Sequence, residues 1–371
     1  MSSIVDLVSK LSTTPGVSGF EDPIIEVVRE ELRPYMDSVH VDTMGNVIGT
    51  MNGSSGSAPK IMVDAHIDQP SMLVKYIEPS GFIRMERQGY PHTGALGAQR
   101  VLLHTRDKGA VKGVVGIKGT HFYWTEAGGS TPPAMPNMRD LYIDVGCESR
   151  EEVAAAGIAV GDPITYESNL GFLGPGKLIV GQAFDNRALV GVMIDAMKRL
   201  STARPEATIY AVGSVMEELG LRGARAPLHA LKPDMFIGLD ITICADTPDA
   251  EFRDFPTMVG RGPVVTIADM IWNVAVLGVT SHPAIKEHFI DTAVREGIPH
   301  QVEAITGAIS NAAVAHEVGV PAGTLKVATR YSHTASEVLS ISDLENCSKL
   351  LASGLRRIGP GFSLARPWRK S

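Results

Sequence analysis

From Gln182 onward, short apolar β-like runs alternate with helical stretches, and this alternation restricts the fold more than any other feature of the chain. The order reads helix NRALVGVMIDAMKRL, strand ATIYAVGSV, helix RAPLHAL, strand DMFIGLD, a strand near PVVTIAD, helix AIKEHFIDTAVREG, helix NAAVAHEVG, strand AGTLKVA and a closing helix from Asp343. Strands separated by helices build a parallel or mixed sheet covered on both faces, which makes a three-layer α/β fold. Two helices and a strand pair precede this block. Pro23 suits the first turn of IIEVVREEL, and Met44-Gly45-Asn46 turns a hairpin between VHVD and VIGTM.

Between these halves, from about Ser71 to about Gly176, the texture changes. FIRMERQ, RVLLHT, AVKGVVGI, LYIDVG and DPITYES are β-like runs broken by Gly and Pro, and REEVAAAG is the one helical stretch. The expectation is a small β-barrel-like domain, residues 71–176, inserted into a catalytic α/β domain made of residues 1–70 and 177–371. A chain of 371 residues is long for one typical core, which agrees with two domains. The Ala-Gly-Gly run around Gly128, ahead of Ser-Thr-Pro-Pro, is expected to form a mobile loop.

Composition narrows the function. A net charge of -7 without any Lys/Arg-rich run provides no basic field for nucleic acid or anionic membrane. No apolar run approaches the roughly 18 residues that cross a bilayer, and MSSIVDLVSKLS lacks a signal-like apolar core. Cys147, Cys244 and Cys347 form no C-x-x-C pair and read as buried packing residues of a cytoplasmic protein. H-E-x-x-H, G-x-S-x-G and phosphate-loop motifs are absent, which argues against zincin, serine hydrolase and nucleotide chemistry.

What remains is a set of polar residues placed where apolar strands end or helices begin. KIMVDAHID carries His66 and Asp68 on one face, because strand side chains two apart point the same way. His66 reads as a ligand, and Asp68 as the group that fixes its tautomer. Asp185 opens a helix, either as an N-cap or as a carboxylate bridging two metals. Glu217 and Glu218 follow the apolar AVGSVM; on a regular strand they would face opposite ways, so the chain must turn there, and two buried like charges call for cations. Glu218 then binds metal, and Glu217 takes a proton from a water that the metals acidify. Asp240 ends DMFIGLD, and His333 follows LKVA. Two imidazoles and three carboxylates, His66, Asp185, Glu218, Asp240 and His333, suit a pair of divalent first-row metal ions, with one site or both filled. His282, His288 and His316 read as packing or surface residues.

Together these residues resemble the TET-type metallo-aminopeptidases, metallopeptidase family forty-two. The similarity runs from TPGVSGFED at Thr14, through LYIDVGCESREEVAAAGIAVGD, to SHTASEVLSISDLEN at Ser332. The resemblance implies that His66 and Asp240 hold one metal, Glu218 and His333 the other, with Asp185 bridging, Glu217 as general base, and Zn, Co or Mn as the metals. It also implies a β domain inserted after the first ligand strand, and self-assembly through that domain into dimer-based homo-oligomers of up to twelve chains, a dodecamer. The chain departs from the family at Gln69, where an acid usually follows the H-x-D pair, and at Ile309-Ser310-Asn311, where Gly-Thr-Asp is usual.

The expected reaction is hydrolysis of a C–N bond, as an aminopeptidase on short peptides. The alternative is an aminohydrolase or amidase acting on a small neutral amine or amide, such as an arylamine of nitroanthranilate type, with release of ammonia. Gln69 and Asn311 favour it by removing two negative charges that would attract a protonated amine, and Arg330 could then pair with a substrate carboxylate. A glycosidase would need two carboxyls roughly 5 to 9 Å apart flanking a sugar bond, which adjacent acids supply poorly.

Overall fold

The computed structural model describes residues 3–119, 121, 136–272 and 276–366. The chain opens with α1 (Ser3–Thr13), α2 (Asp22–Leu32), the hairpin β1 (Ser38–Val41) and β2 (Val47–Met51), and β3 (Lys60–His66). Six strands follow: β4 (Ser71–Ile77), β5 (Ile83–Gln88), β6 (Arg100–Thr105), β7 (Gly109–Gly116), β8 (Tyr142–Asp144) and β9 (Pro163–Tyr166), with α3 (Arg150–Ala155) before the last. Then come β10 (Gly171–Leu173), β11 (Leu178–Gly181), α4 (Phe184–Ser201), β12 (Thr208–Ser214), α5 (Arg225–Leu231), β13 (Met235–Ile243), β14 (Val264–Trp272) and β15 (Val276–Thr280). The chain closes with α6 (Pro283–Glu296), β16 (Gln301–Thr306), α7 (Ala312–Glu317), β17 (Ala322–Thr329), β18 (Glu337–Ser340) and α8 (Ile341–Arg356).

The main sheet is mixed, in the order β1-β2-β12-β3-β13-β17-β14-β15, with β16 pairing β14. Its centre is parallel: β12, β13 and β17 all run with β3 or with each other. These central strands are apolar and buried on both faces, as parallel strands must be. On one face Ile61, Val63 and Ala65 of β3 join Leu239 of β13 in a core with Ala188 and Val192 of α4 and Leu351 of α8. On the other, Met62, Val212 and Phe236 pack with Leu228 of α5 and Val314 of α7. Each such buried aliphatic or aromatic side chain contributes about 1.5–3 kcal/mol, so the two cores fix which strands neighbour β3. That is the three-layer α/β architecture the alternation implies.

Strands β4 to β9 close into a barrel in the order β4-β5-β8-β7-β6-β9. Its interior holds a separate core of Met72, Val74, Ile83, Val101, Leu103 and Ile164. Only Ile67 to Pro70 separate β3 from the first barrel strand, so the barrel is tied to the end of the central strand of the sheet. A small sheet, β10-β11-β18, lies outside both.

Local differences from the sequence reading have physical causes. Asp240 does not end its strand: β13 runs three residues further, because Ile241 to Ile243 keep pairing with β17. β3 stops at His66, so Asp68 lies beyond the strand. Asp185 and Asn186 have non-helical backbone at the head of α4, and the peptide between them is cis. Cys244 and Cys347 are buried, but Cys147 is only half-buried, and none forms a disulfide. The loop expected around Gly128 lies outside the described residues. No helix among the described residues is long and apolar enough to cross a membrane.

Candidate metal centre

The carboxyl ends of β3, β12 and β13 lie together at one edge of the sheet, the position where open α/β sheets place ligands. The structure brings all six predicted residues of the cluster to this edge. Asp185 sits between the two imidazoles: its Oδ1 is 3.2 Å from His66 Nε2, and its Oδ2 is 3.1 Å from His333 Nε2. His66 Nε2 is also 4.0 Å from Asp240 Oδ1 and 4.0 Å from Glu217 Oε2, and His333 Nε2 is 3.5 Å from Glu218 Oε1. His66, Asp185, Glu217 and Asp240 are buried, while Glu218 and His333 are half-buried.

Ligand atoms about 2.0–2.2 Å from one tetrahedral ion stand roughly 3.3–3.6 Å from each other. Two groups have ligand atoms that all lie within 4.8 Å of one another, His66 with Asp185 and Asp240, and Asp185 with Glu218 and His333. A third, His66 with Glu217 and Glu218, overlaps both. The donor set of imidazole nitrogen and carboxylate oxygen suits divalent first-row ions.

Electrostatics tests the same fit. Burial pushes Glu218 up to about 7 in the metal-free chain, helped by the charge of Asp185. Burial also raises Glu217 and Asp240 well above the carboxylate range, and neighbouring acids add to it. For the histidines, burial works downward but is outweighed: Glu217 and Asp185 raise His66, and Glu218 and Asp185 raise His333. Burial opposes ionisation of Asp185 too, yet the hydrogen bonds to His333 and His66 hold it below its usual value. Four buried or half-buried carboxylates facing two imidazoles are short of positive charge, which divalent cations would supply.

A frame of hydrogen bonds aims these groups. The chain leaves β12 at Ser214 and turns at Met216, whose φ is 51°. The next four backbone amides are held by side chains instead of by a strand. Val215 donates to Asn46 Oδ1 at 3.1 Å, Met216 to Glu21 Oε1 at 3.0 Å, Glu217 to Asp68 Oδ1 at 2.9 Å and Glu218 to Asp68 Oδ2 at 3.1 Å. Asp68 also accepts from Ser18 Oγ at 2.6 Å and stands 3.4 Å from His66 Nδ1. It therefore orients the two glutamates more directly than it fixes the imidazole. His333 Nδ1 lies 2.8 Å from the carbonyl of Tyr90, an arrangement that keeps the proton on Nδ1 and turns Nε2 toward the cluster.

Sequence reading missed Glu337, Ser18, Glu21, Asn46 and Tyr90. Glu337 is the most important of these: its carboxylate accepts the amides of Phe184 at 2.5 Å, Asp185 at 3.1 Å and His333 at 2.8 Å, tying two candidate ligands together. An acid whose partners are backbone amides leaves no spacing pattern, and the only signal was its place in the SHTASEV run.

Gln69, Asn311 and Arg330 take protein partners in place of the substrate contacts expected from the sequence. Gln69 Oε1 accepts from Arg187 at 3.2 Å, and the same guanidinium donates to the carbonyls of Leu11, Thr14 and Gly16. Asn311 donates to Asp64 Oδ1 at 2.8 Å and to Ser214 Oγ at 2.9 Å. Arg330 pairs in two-pronged fashion with Asp246, at 2.8 and 2.6 Å. Buried polar groups need such partners. His282 stands at the N-cap position of α6 without a side-chain cap bond, and His288 lies 2.8 Å from the carbonyl of Gly354.

The chain is similar to known proteins along nearly its whole length. The chain is 32% identical over 361 residues to the lysyl aminopeptidase of Pyrococcus furiosus, covering 96% of this chain and 97% of that one. Its fold superposes on the aminopeptidase APDkam598 of Desulfurococcus kamchatkensis with a TM-score of 0.90 at 33% identity, over 97% and 96% of the two chains. It also matches the TET1 peptidase of Pyrococcus horikoshii, described as assembling into a tetrahedron or a large octahedral shell, with a TM-score of 0.81 at 26% identity over 96% and 100%. Residues 45–350 match the M42 glutamyl aminopeptidase family, and this chain is a hydrolase belonging to it.

Proposed function

We propose that the protein is a two-metal aminopeptidase that removes the N-terminal residue from short peptides. The observation that carries the reading is Asp185 spanning two imidazoles, with one candidate ligand group on each side of it. His66, Asp185 and Asp240 would hold one ion, and Asp185, Glu218 and His333 the other. When bound, zinc, cobalt or manganese ions supply Lewis acidity to the scissile carbonyl and acidify the attacking water. Glu217 takes the proton from that water and passes it to the leaving amine, the task of a general base and then acid. Its raised affinity for a proton, set by burial, suits both halves of that task. Asp68 holds the amides of Glu217 and Glu218 so that both carboxylates keep their aim. Glu337 does the same for Asp185 and His333.

The arylamine reading gains no support, because Gln69, Asn311 and Arg330 are engaged elsewhere. Self-assembly through the barrel into a homo-oligomer, from a dimer up to a dodecamer, is part of the proposal and is suggested by the assemblies described for TET1. Three unpaired cysteines fit a reducing cytoplasm.

The test is a panel on one metal-loaded preparation: aminoacyl anilides, di- and tripeptides, their N-acetylated forms, and aromatic amines. Turnover confined to free N-termini, abolished by chelation and restored by metal, is expected. Ammonia release from aromatic amines without peptide cleavage would overturn the proposal.

A further inference from the structure

Resting on the aminopeptidase reading, we infer that a cationic cleft on the barrel, beside His333, receives a carboxylate of the peptide substrate. The cleft measures about 610 Å³ and is lined by Lys75, Arg84, Arg87, Pro91, Thr93 and Arg139 among others. Four cations line it against one acid, Glu86, on a chain whose net charge is -7. Such a local reversal of sign focuses anions.

Two of the four cations are occupied. Lys75 pairs with Glu86 at 2.5 Å, and Arg84 with Glu78 at 2.9 Å. Arg87 and Arg139 form no ion pair with a carboxylate among the described residues, although the charge of Arg87 is felt by Glu86; Arg87 stacks over Tyr90, 5.4 Å from the ring centre. A guanidinium presents a planar fork of donors that matches a carboxylate, and charge-assisted pairs of this kind are the stronger hydrogen bonds.

The cleft shares a wall with the metal centre. Arg87, Pro91 and Thr93 face the cleft, and the residues between them touch the candidate ligands. Gly89 lies so close that a Cβ there would be 3.2 Å from Cβ of Glu218. The carbonyl of Tyr90 holds His333 Nδ1 at 2.8 Å, and the amide of His92 donates to the carbonyl of His333 at 3.0 Å. Extended peptide covers about 3.3–3.6 Å per residue, so a peptide of three or four residues spans roughly 10–14 Å. The C-terminal carboxylate of a short peptide is the ligand that fits, and an acidic side chain near that end shares its chemistry.

The experiment compares Ala-Ala-Ala, its C-terminal amide, and Ala-Ala-Asp amide on metal-loaded wild type and on the R87Q/R139Q double variant. The free acid is expected to have a KM about tenfold below that of the plain amide in wild type, a difference that shrinks to less than about twofold in the variant. If the Asp amide behaves like the free acid, side chains serve as well as the terminus; if it behaves like the plain amide, the terminus alone is read, and either result supports the site. Equal KM for acid and amide in wild type, or an undiminished difference in the variant, overturns it. Calorimetric binding of the same peptides separates the two claims. Absence of turnover would reject the aminopeptidase reading, while equal affinity for acid and amide would reject the cleft.

Discussion

The two oxygens of Asp68 hold the amides of both glutamates and the hydroxyl of Ser18. Replacing Asp68 with Asn removes the charge that draws those amides together. D68N is expected to lower metal affinity and kcat about 10- to 100-fold, as loss of a ligand-supporting group does. E217Q differs in kind: it should lower kcat about 10²- to 10⁴-fold while elemental analysis finds wild-type metal content. A variant that loses metal along with activity would make Glu217 a ligand. Protonation gives a second prediction. In the metal-free chain Glu218 sits at about 7 and Glu337 at about 8, both raised by burial above the value of an unfolded chain. The folded state therefore binds protons that the unfolded state has released, so stability falls as pH rises from about 4.5 through 8. His66 and His333, raised well above 6.5, act in the same direction: their contribution is present below that value and lost above it. The melting temperature of chelated protein should fall between about pH 5 and 8, and metal should flatten that slope. A chelated protein whose stability rises over this range would contradict the charge assignment.

At the scale of elements, the active edge is made where regular structure stops. The Glu217–Glu218 turn is held by Asn46, Glu21 and Asp68, three side chains from three earlier segments, and none is visible as a motif. The segment after β5 is equally demanding, because Gly89 has φ of +81° and packs on Glu218. G89A forces a side chain into that left-handed backbone, costing about 1–2 kcal/mol, and presses on Glu218. Chemical denaturation should show that loss, and metal titration should show weaker binding; wild-type values for both would mean the barrel loop does not shape the centre. The same scale explains what the sequence made legible. The strongly apolar strands KIMVDAH, ATIYAVGS, MFIGLD and AGTLKVA read correctly, because burial on both faces leaves continuous apolar runs. β4, β15, β16 and β18 escaped notice, since edge and barrel strands mix polar with apolar residues or are only four to seven residues long. Asp240 read as a strand end because a single acid follows the apolar run of DMFIGLD; pairing with β17 carries the strand on to Ile243. The metal cluster was legible because acids and histidines after apolar strands are costly without a shared purpose. The substrate side was not, because whether Gln69, Asn311 or Arg330 faces a ligand depends on neighbours over a hundred residues away or, for Arg330, 84 away.

For the whole molecule, a sheet with two cores fixes the cluster, and a barrel joined directly to the end of β3 brings Tyr90 over His333. The barrel thus borders the candidate site, and the cleft proposed to take a carboxylate, with Arg87 and Arg139, lies on it. If the barrel also mediates assembly, light scattering should return a multiple of the 39.6 kDa chain mass, and a monomer at micromolar concentration would contradict that part of the account. The central claim concerns ions on either side of Asp185. Anomalous diffraction from crystals of the zinc- or cobalt-loaded enzyme tests it most directly. The account predicts two peaks, one among His66, Asp185 and Asp240 and one among Asp185, Glu218 and His333; metal-loaded crystals with no peak at Asp185 would contradict it.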